Sequence, residues 1–169
     1  MTRYVALTAL FVAGLVAAGC SSSATEASAD RTATAAAKPP VHDGRAIQIE
    51  ANDKMKFSLT EITARPGEKL TLTLTNRGTT PKFSMGHNVV LLTGGTDPDG
   101  FALLAMEAAT TEYLPAAMKS RVIAATKLLG PGESDTVTFT APSAPGSYVF
   151  LCSFPGHFQV GMRGVLIVQ

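Results

Sequence analysis

The segment Leu70-Thr71-Leu72-Thr73-Leu74-Thr75 places leucine at every second position with threonine between. A period of two puts successive side chains on opposite faces of a strand, one face apolar and the other hydroxylated. A helix cannot use this pattern, because at its period the leucines would scatter around the axis. The segment is entered through Arg65-Pro66-Gly67 and left through Asn76-Arg77-Gly78, both turn-forming. Shorter alternations occupy residues 46–50, 55–59 and 136–140, and further strands are expected over 147–151 and 164–168. Short strands punctuated by Gly and Pro imply an all-β sandwich or barrel. Residues 45–169 are long enough to bury a core of their own. One stretch departs from the pattern. Residues 101–118 carry apolar side chains at 101, 104 and 108, and at 103 and 106, which is helical spacing. Asp97 and Asp99 stand where they can satisfy its first amides, and Pro115 should end or bend it.

The N-terminus reads as an address. Arg3 precedes a 15-residue stretch without charge, Tyr4 to Ala18. As a helix this spans about 22 Å, short of the roughly 30 Å of bilayer hydrocarbon. A signal peptide over residues 1–19 fits better than a membrane span. The stretch ends in Leu15-Val16-Ala17-Ala18-Gly19-Cys20, which resembles the lipobox of bacterial lipoproteins. That resemblance makes Cys20 the lipidated first residue of the mature chain. It implies a periplasmic or other extracytoplasmic location, anchored to a bacterial membrane. Ser21-Ser22 lacks an acidic residue after the anchor, which by the same analogy favours an outer membrane. Residues 20–44 are dominated by Ala, Ser and Thr and read as a flexible tether, with His42 solvated within it. Such a tether reaches roughly 25–30 Å.

Composition removes several classes of function. The formal charge is +1, from 14 basic and 13 acidic residues, and no basic run is present. Nucleic acid is therefore not an expected partner. The chain is 46% apolar and 16% charged, which argues against wholesale disorder. Cys20 and Cys152 are the only cysteines, so a disulfide scaffold and an all-Cys zinc site are both excluded.

The last 20 residues hold the strongest chemical signal. Four residues separate Cys152 from His157, and four more separate His157 from Met162. The segment lies between two expected strands. The other histidine of the 45–169 region, His87, lies 65 residues upstream of Cys152 in Met85-Gly86-His87-Asn88. Each residue alone has an ordinary reading: a hydrogen-bonded histidine, a small buried thiol, a core methionine. Together they offer one thiolate, two imidazoles and a weak thioether. Two His and one Cys with a long axial Met suit copper that cycles between oxidation states. Zinc prefers a stronger fourth ligand. A metalloenzyme needs an open position for substrate, and here the thioether fills it, so catalysis is not expected.

At these residues the chain resembles the azurin family of blue-copper cupredoxins. Met85-Gly86-His87-Asn88 and Cys152-Ser153-Phe154-Pro155-Gly156-His157 are close to that family's two ligand segments. The likeness extends over Ile49 to Phe57, Arg121 to Leu128 and Gly132 to Thr138. It implies a Greek-key β-sandwich with one short helical flap. It implies one copper ion held by His87, Cys152 and His157, with Met162 axial and the Gly86 carbonyl a weak opposite contact. Asn88, Ser153 and Phe154 would support the ligands. Met85, Pro155, Gly156 and Phe158 would form an apolar patch around a surface edge of His157, where transient redox partners dock. The implied function is a one-electron Cu(I)/Cu(II) shuttle, a monomer on a membrane anchor. A copper buffer or delivery protein using the same site is the alternative, and a metal-free interaction domain a third. The spacing from His157 to Met162 is one residue longer than azurin's and closer to auracyanin's. The region matching azurin's disulfide has no Cys, and Val89 stands where azurin often has Trp.

Overall fold

The computed structural model describes residues 44–169. The signal segment 1–19, the tether up to residue 43, Cys20 and His42 lie outside the described residues. The strands are β1 (Arg45–Asn52), β2 (Lys56–Phe57), β3 (Glu61–Ala64), β4 (Lys69–Asn76), β5 (Val90–Leu92), β6 (Val122–Ala125), β7 (Ser134–Thr140), β8 (Gly146–Leu151) and β9 (Arg163–Val168). Two short helices, α1 (Lys82–Met85) and α2 (Pro98–Ala105), and two 3₁₀ turns complete the set. The strands form two sheets, ordered β2-β1-β4-β7 and β3-β9-β8-β5-β6. Each sheet is mixed: β1 runs parallel to β4, and β3 parallel to β9. The architecture is the expected β-sandwich.

The alternating segment behaves as its pattern dictates. Leu70, Leu72 and Leu74 are buried between the sheets with Ile47, Ile49 and Phe139. On the other face Thr71, Thr73 and Thr75 pair with Thr138, Thr136 and Ser134 of β7 through hydroxyl contacts of 2.9–3.0 Å. Such cross-strand pairs stabilise the ladder by tenths of a kcal/mol to about 1 kcal/mol each.

A second core lies on the outer face of the other sheet. Val90, Leu92 and Leu151 pack there against Phe101, Ala102 and Ala105 of α2. Val89 and Leu91 point the opposite way, into the main core. β5 is therefore buried on both faces and shows no alternation.

Three expectations need correction. The strand over 55–59 shrinks to β2, because Met55 adopts φ +54° and closes the turn begun at Asn52. The helix over 101–118 is shorter and earlier. Asp97 caps α2 by accepting from the Asp99 and Gly100 amides at 3.1 Å, whereas Asp99 itself lies within the first turn. α2 buries Phe101, Ala102 and Ala105, and it exposes Leu103, Leu104 and Met106. Beyond it the chain makes 3₁₀ turns at Ala109–Thr111 and Ala116–Arg121. α2 has therefore ended well before Pro115, and Glu112 and Tyr113, both at positive φ, close the first 3₁₀ turn.

Candidate metal centre

Gly86 sits where α1 meets the ligand segment. A Cβ there would stand 2.8 Å from the Lys82 carbonyl and 2.9 Å from the Leu128 side chain, so only glycine fits. The next residue, His87, is locked to Leu129 by reciprocal backbone bonds of 3.1 and 2.8 Å. Upstream, the Asp53 carboxylate accepts from the Thr79 and Thr80 amides and from the Thr79 hydroxyl. These contacts fix the chain leading into α1.

Cys152 follows β8 directly. Its amide donates to the Met162 carbonyl (3.1 Å), and the Met162 amide donates to the His157 carbonyl (2.9 Å). His157 in turn donates to Phe154 (3.1 Å). Three sequence-predicted ligands are thus tied together by their own backbone. Gly161, at φ +88°, supplies the left-handed residue that lets the four-residue His157–Met162 spacing close. The Lys56 ammonium reaches across from β2 to the Val160 carbonyl of the same loop.

One ligand atom from each of His87, Cys152 and His157 lies within 4.8 Å of the others. Cys152 Sγ is 3.4 Å from His157 Nδ1, and the imidazole centroids are 4.9 Å apart. All three residues are buried, as is Met162 in the same core cluster. Neither nitrogen of His87 has a hydrogen-bond partner. A buried imidazole with both nitrogens unmatched is costly, and an ion bound there would satisfy one of them. The Gly86 carbonyl lies 3.9 Å from the sulfur.

Asn88 joins the two ligand segments. Its Nδ2 donates to Ser153 Oγ (2.8 Å), and its Oδ1 accepts from the Ser153 amide (2.8 Å). Phe154 packs on His157 with centroids 4.7 Å apart. Met85 and Pro155 are half-buried, and Gly156 is exposed. The patch expectation fails at Phe158, which is 2% exposed and belongs to the core beneath α2. His157 keeps only 2% of its surface, so its edge grazes solvent rather than standing open. Sequence reasoning missed Phe83 of α1, which is 83% exposed beside Met85. It also missed Glu112, whose backbone carbonyl accepts from Asn88 Nδ2 (3.3 Å).

Burial governs the electrostatics. Desolvation pushes the Cys152 thiol up to about 12, although the amides of Asn88 and Phe154 face the sulfur and favour its anion. Desolvation, reinforced by the nearby His87, pulls His157 down to about 4. His87 is lowered by burial too, with the negative charge of Asp53 opposing. Both imidazoles are therefore neutral near pH 7, ready to ligate, whereas the thiol must release a proton to bind metal.

These directions make a prediction for the copper-free protein. Between about pH 6.5 and 4 the unfolded chain binds a proton at His157 that the folded chain does not, so stability falls as pH drops. Between about pH 9 and 12 the folded chain keeps the Cys152 proton that the unfolded chain loses, so stability falls as pH rises. Thermal midpoints should peak between about pH 7 and 9 and decline on both sides. Bound copper should remove the alkaline decline and steepen the acid one, because the ligated thiolate and imidazoles carry no protons that the unfolded chain would take up.

Comparison with known proteins agrees with this donor set. The family model described as copper binding proteins, plastocyanin/azurin family, matches residues 44–169. Azurin of Pseudomonas chlororaphis is 40% identical over 126 residues, covering 73% of this chain and 97% of that protein. Outer membrane protein H.8 of Neisseria gonorrhoeae is 41% identical over 114 residues, covering 66% of this chain and 61% of its own length. The matched region thus spans under two thirds of the H.8 protein. Reduced auracyanin from Roseiflexus castenholzii superposes with a TM-score of 0.63 at 39% identity, over 76% of this chain and 99% of that one. A buried thiol between two imidazoles, one of them unmatched, is the donor set for one copper ion. By fold, by sequence and by these donors, the chain belongs to the plastocyanin/azurin family of copper-binding proteins.

Proposed function

We propose that this protein is a type 1 copper electron carrier. His87, Cys152 and His157 would be the strong ligands, Met162 the axial one and the Gly86 carbonyl a weak contact. Bound copper supplies a one-electron couple. The observation that carries the reading is the sealed site: His87 and Cys152 are 0% exposed and His157 is 2% exposed. Such a site leaves no access for a substrate, whereas an electron needs only a short path through His157. The backbone ties among Cys152, His157 and Met162 keep the ligands in place as charge changes.

Residues 1–19 would direct export, Cys20 would carry the lipid, and residues 20–44 would tether the 45–169 domain. The lipobox supports this anchoring, and so does likeness to a protein named for the outer membrane. The carrier would act outside the cytoplasm, as a monomer meeting redox proteins transiently. A copper buffer is the second reading, since the same ligands could exchange metal.

One equivalent of Cu(II) should give an intense visible band that bleaches with a reductant and returns with an oxidant. Retention of copper through repeated cycles against a chelator supports the carrier, and loss of copper supports the buffer. A colourless complex would overturn the carrier and point to a buffer or a zinc-like site, and no binding at all would overturn both.

The docking patch makes a further prediction. Phe83 and Met85 present apolar surface on α1, next to the ligand segment. Phe83→Glu and Met85→Lys should each slow electron self-exchange about tenfold or more and leave the visible band unchanged. NMR line broadening in mixed oxidation states reads this rate.

A further inference from the structure

Glu112 and Tyr113 are consecutive non-glycine residues at φ +55° and +63°. Such conformations persist where the surroundings over-determine them, and they concentrate at functional sites. The surroundings here are specific. Glu112 Oε2 accepts from the Leu128 amide at 3.0 Å. Leu128 precedes Leu129, the residue bridged to His87. Glu112 Oε1 lies 3.4 Å from the Lys82 ammonium, at the start of the helix that leads to Gly86 and His87. The Glu112 carbonyl accepts from Asn88 Nδ2, whose other partner is Ser153, the neighbour of Cys152. The Tyr113 ring meets Phe154 edge-on at 5.0 Å, and Phe154 packs on His157. One corner of the flap therefore reaches the segments of all three strong ligands.

We propose that the Glu112–Tyr113 corner is a positioning element of the copper centre, holding the ligand segments in register before metal arrives. The proposal rests on the copper reading and gives the flap a role beyond covering the second core. The Lys82 contact contributes least, because both side chains are nearly half exposed. The bonds to the Leu128 amide and to Asn88, with the Tyr113–Phe154 contact, carry the effect.

The test uses the full chain in copper-free and copper-loaded forms. The Ser153 amide, bonded to Asn88 Oδ1, is the probe, since neither Glu112 nor Tyr113 touches it directly. In the copper-free protein, Glu112→Ala should speed its hydrogen exchange at least about tenfold, while amides of β1 and β4 stay protected. In the copper-loaded protein the same variant should alter the relative intensities of the sulfur-to-copper bands and shift the reduction potential. Glu112→Gln keeps an acceptor for the Leu128 amide and should restore most of both. Tyr113→Ala should reproduce the effect and Tyr113→Phe should rescue it, a second route if Glu112→Ala folds poorly. Unchanged Ser153 exchange and bands in both alanine variants would overturn the proposal. So would exchange accelerated uniformly across β1 and β4, which marks a general loss of stability. Because exchange is read without metal, failure of the electron-carrier reading leaves this result intact.

Discussion

Cys152→Ser should yield a folded protein that stays colourless with Cu(II). The visible band requires sulfur bonded to copper, and among the described residues Cys152 is the only free thiol. Serine is close in volume, so the cavity survives. Its hydroxyl costs about 1–3 kcal/mol if unmatched in this buried setting, and the Asn88 and Phe154 amides that face the sulfur offset part of that. The thermal midpoint of the copper-free variant should therefore move little. Copper affinity should fall by more than the 10–100-fold typical of losing a supporting group around a metal, because a ligand itself is lost. Retained blue colour would show that the sulfur is not a ligand. Visible spectroscopy with a copper titration, run beside thermal melts, separates loss of ligation from loss of fold.

Gly164→Ala should be among the most destabilising single substitutions in the sandwich. Gly164 pairs with Phe150 across β8 and β9. An added Cβ would stand 2.3 Å from Phe150 Cζ and 2.4 Å from the Thr60 carbonyl. Neither neighbour can yield easily. Phe150 is 1% exposed and packs on Phe57, and the Thr60 carbonyl accepts from the Val165 amide at 2.9 Å. Overpacking of this kind typically costs 1–3 kcal/mol, and a backbone clash puts it at or above about 3 kcal/mol. The expected fall in melting temperature is on the order of 10 °C. Adding Phe150→Leu should recover part of the loss, since it removes one of the two clashes. Full stability in Gly164→Ala alone would show that β8 and β9 do not approach as described.

The residues differ in how far they could be read before folding. β4 was legible because one face is buried and the other meets hydroxyls, so its alternation mirrors its environment. β5 was not, because Val90 and Leu92 face one core and Val89 and Leu91 the other. The α2 stripe was misread for a related reason. Leucines 103 and 104 are as apolar as Phe101, and only the position of the sheet decides which side is covered. The family resemblance puts Phe158 in the surface patch, yet the turn after His157 carries it under α2.

The expected metal ligands divide in the same way. Cys152, His157 and Met162 lie within eleven residues of chain, so their spacing alone displays a donor set, and chemistry alone selects copper for it. His87 belongs to the site only because β5 pairs with β8, which brings residues 65 positions apart to one end of the sheet. Glu112 and Tyr113 carry no motif, and their roles come from contacts with Lys82, Asn88, Leu128 and Phe154. By itself the sequence determined the strand chemistry and the identity of the donors, because periodicity and ligand type are local properties of a chain. Tertiary structure alone decided which faces are covered, how far His157 reaches solvent and what holds the ligands still, because burial and long-range contact exist only after the sheets have packed.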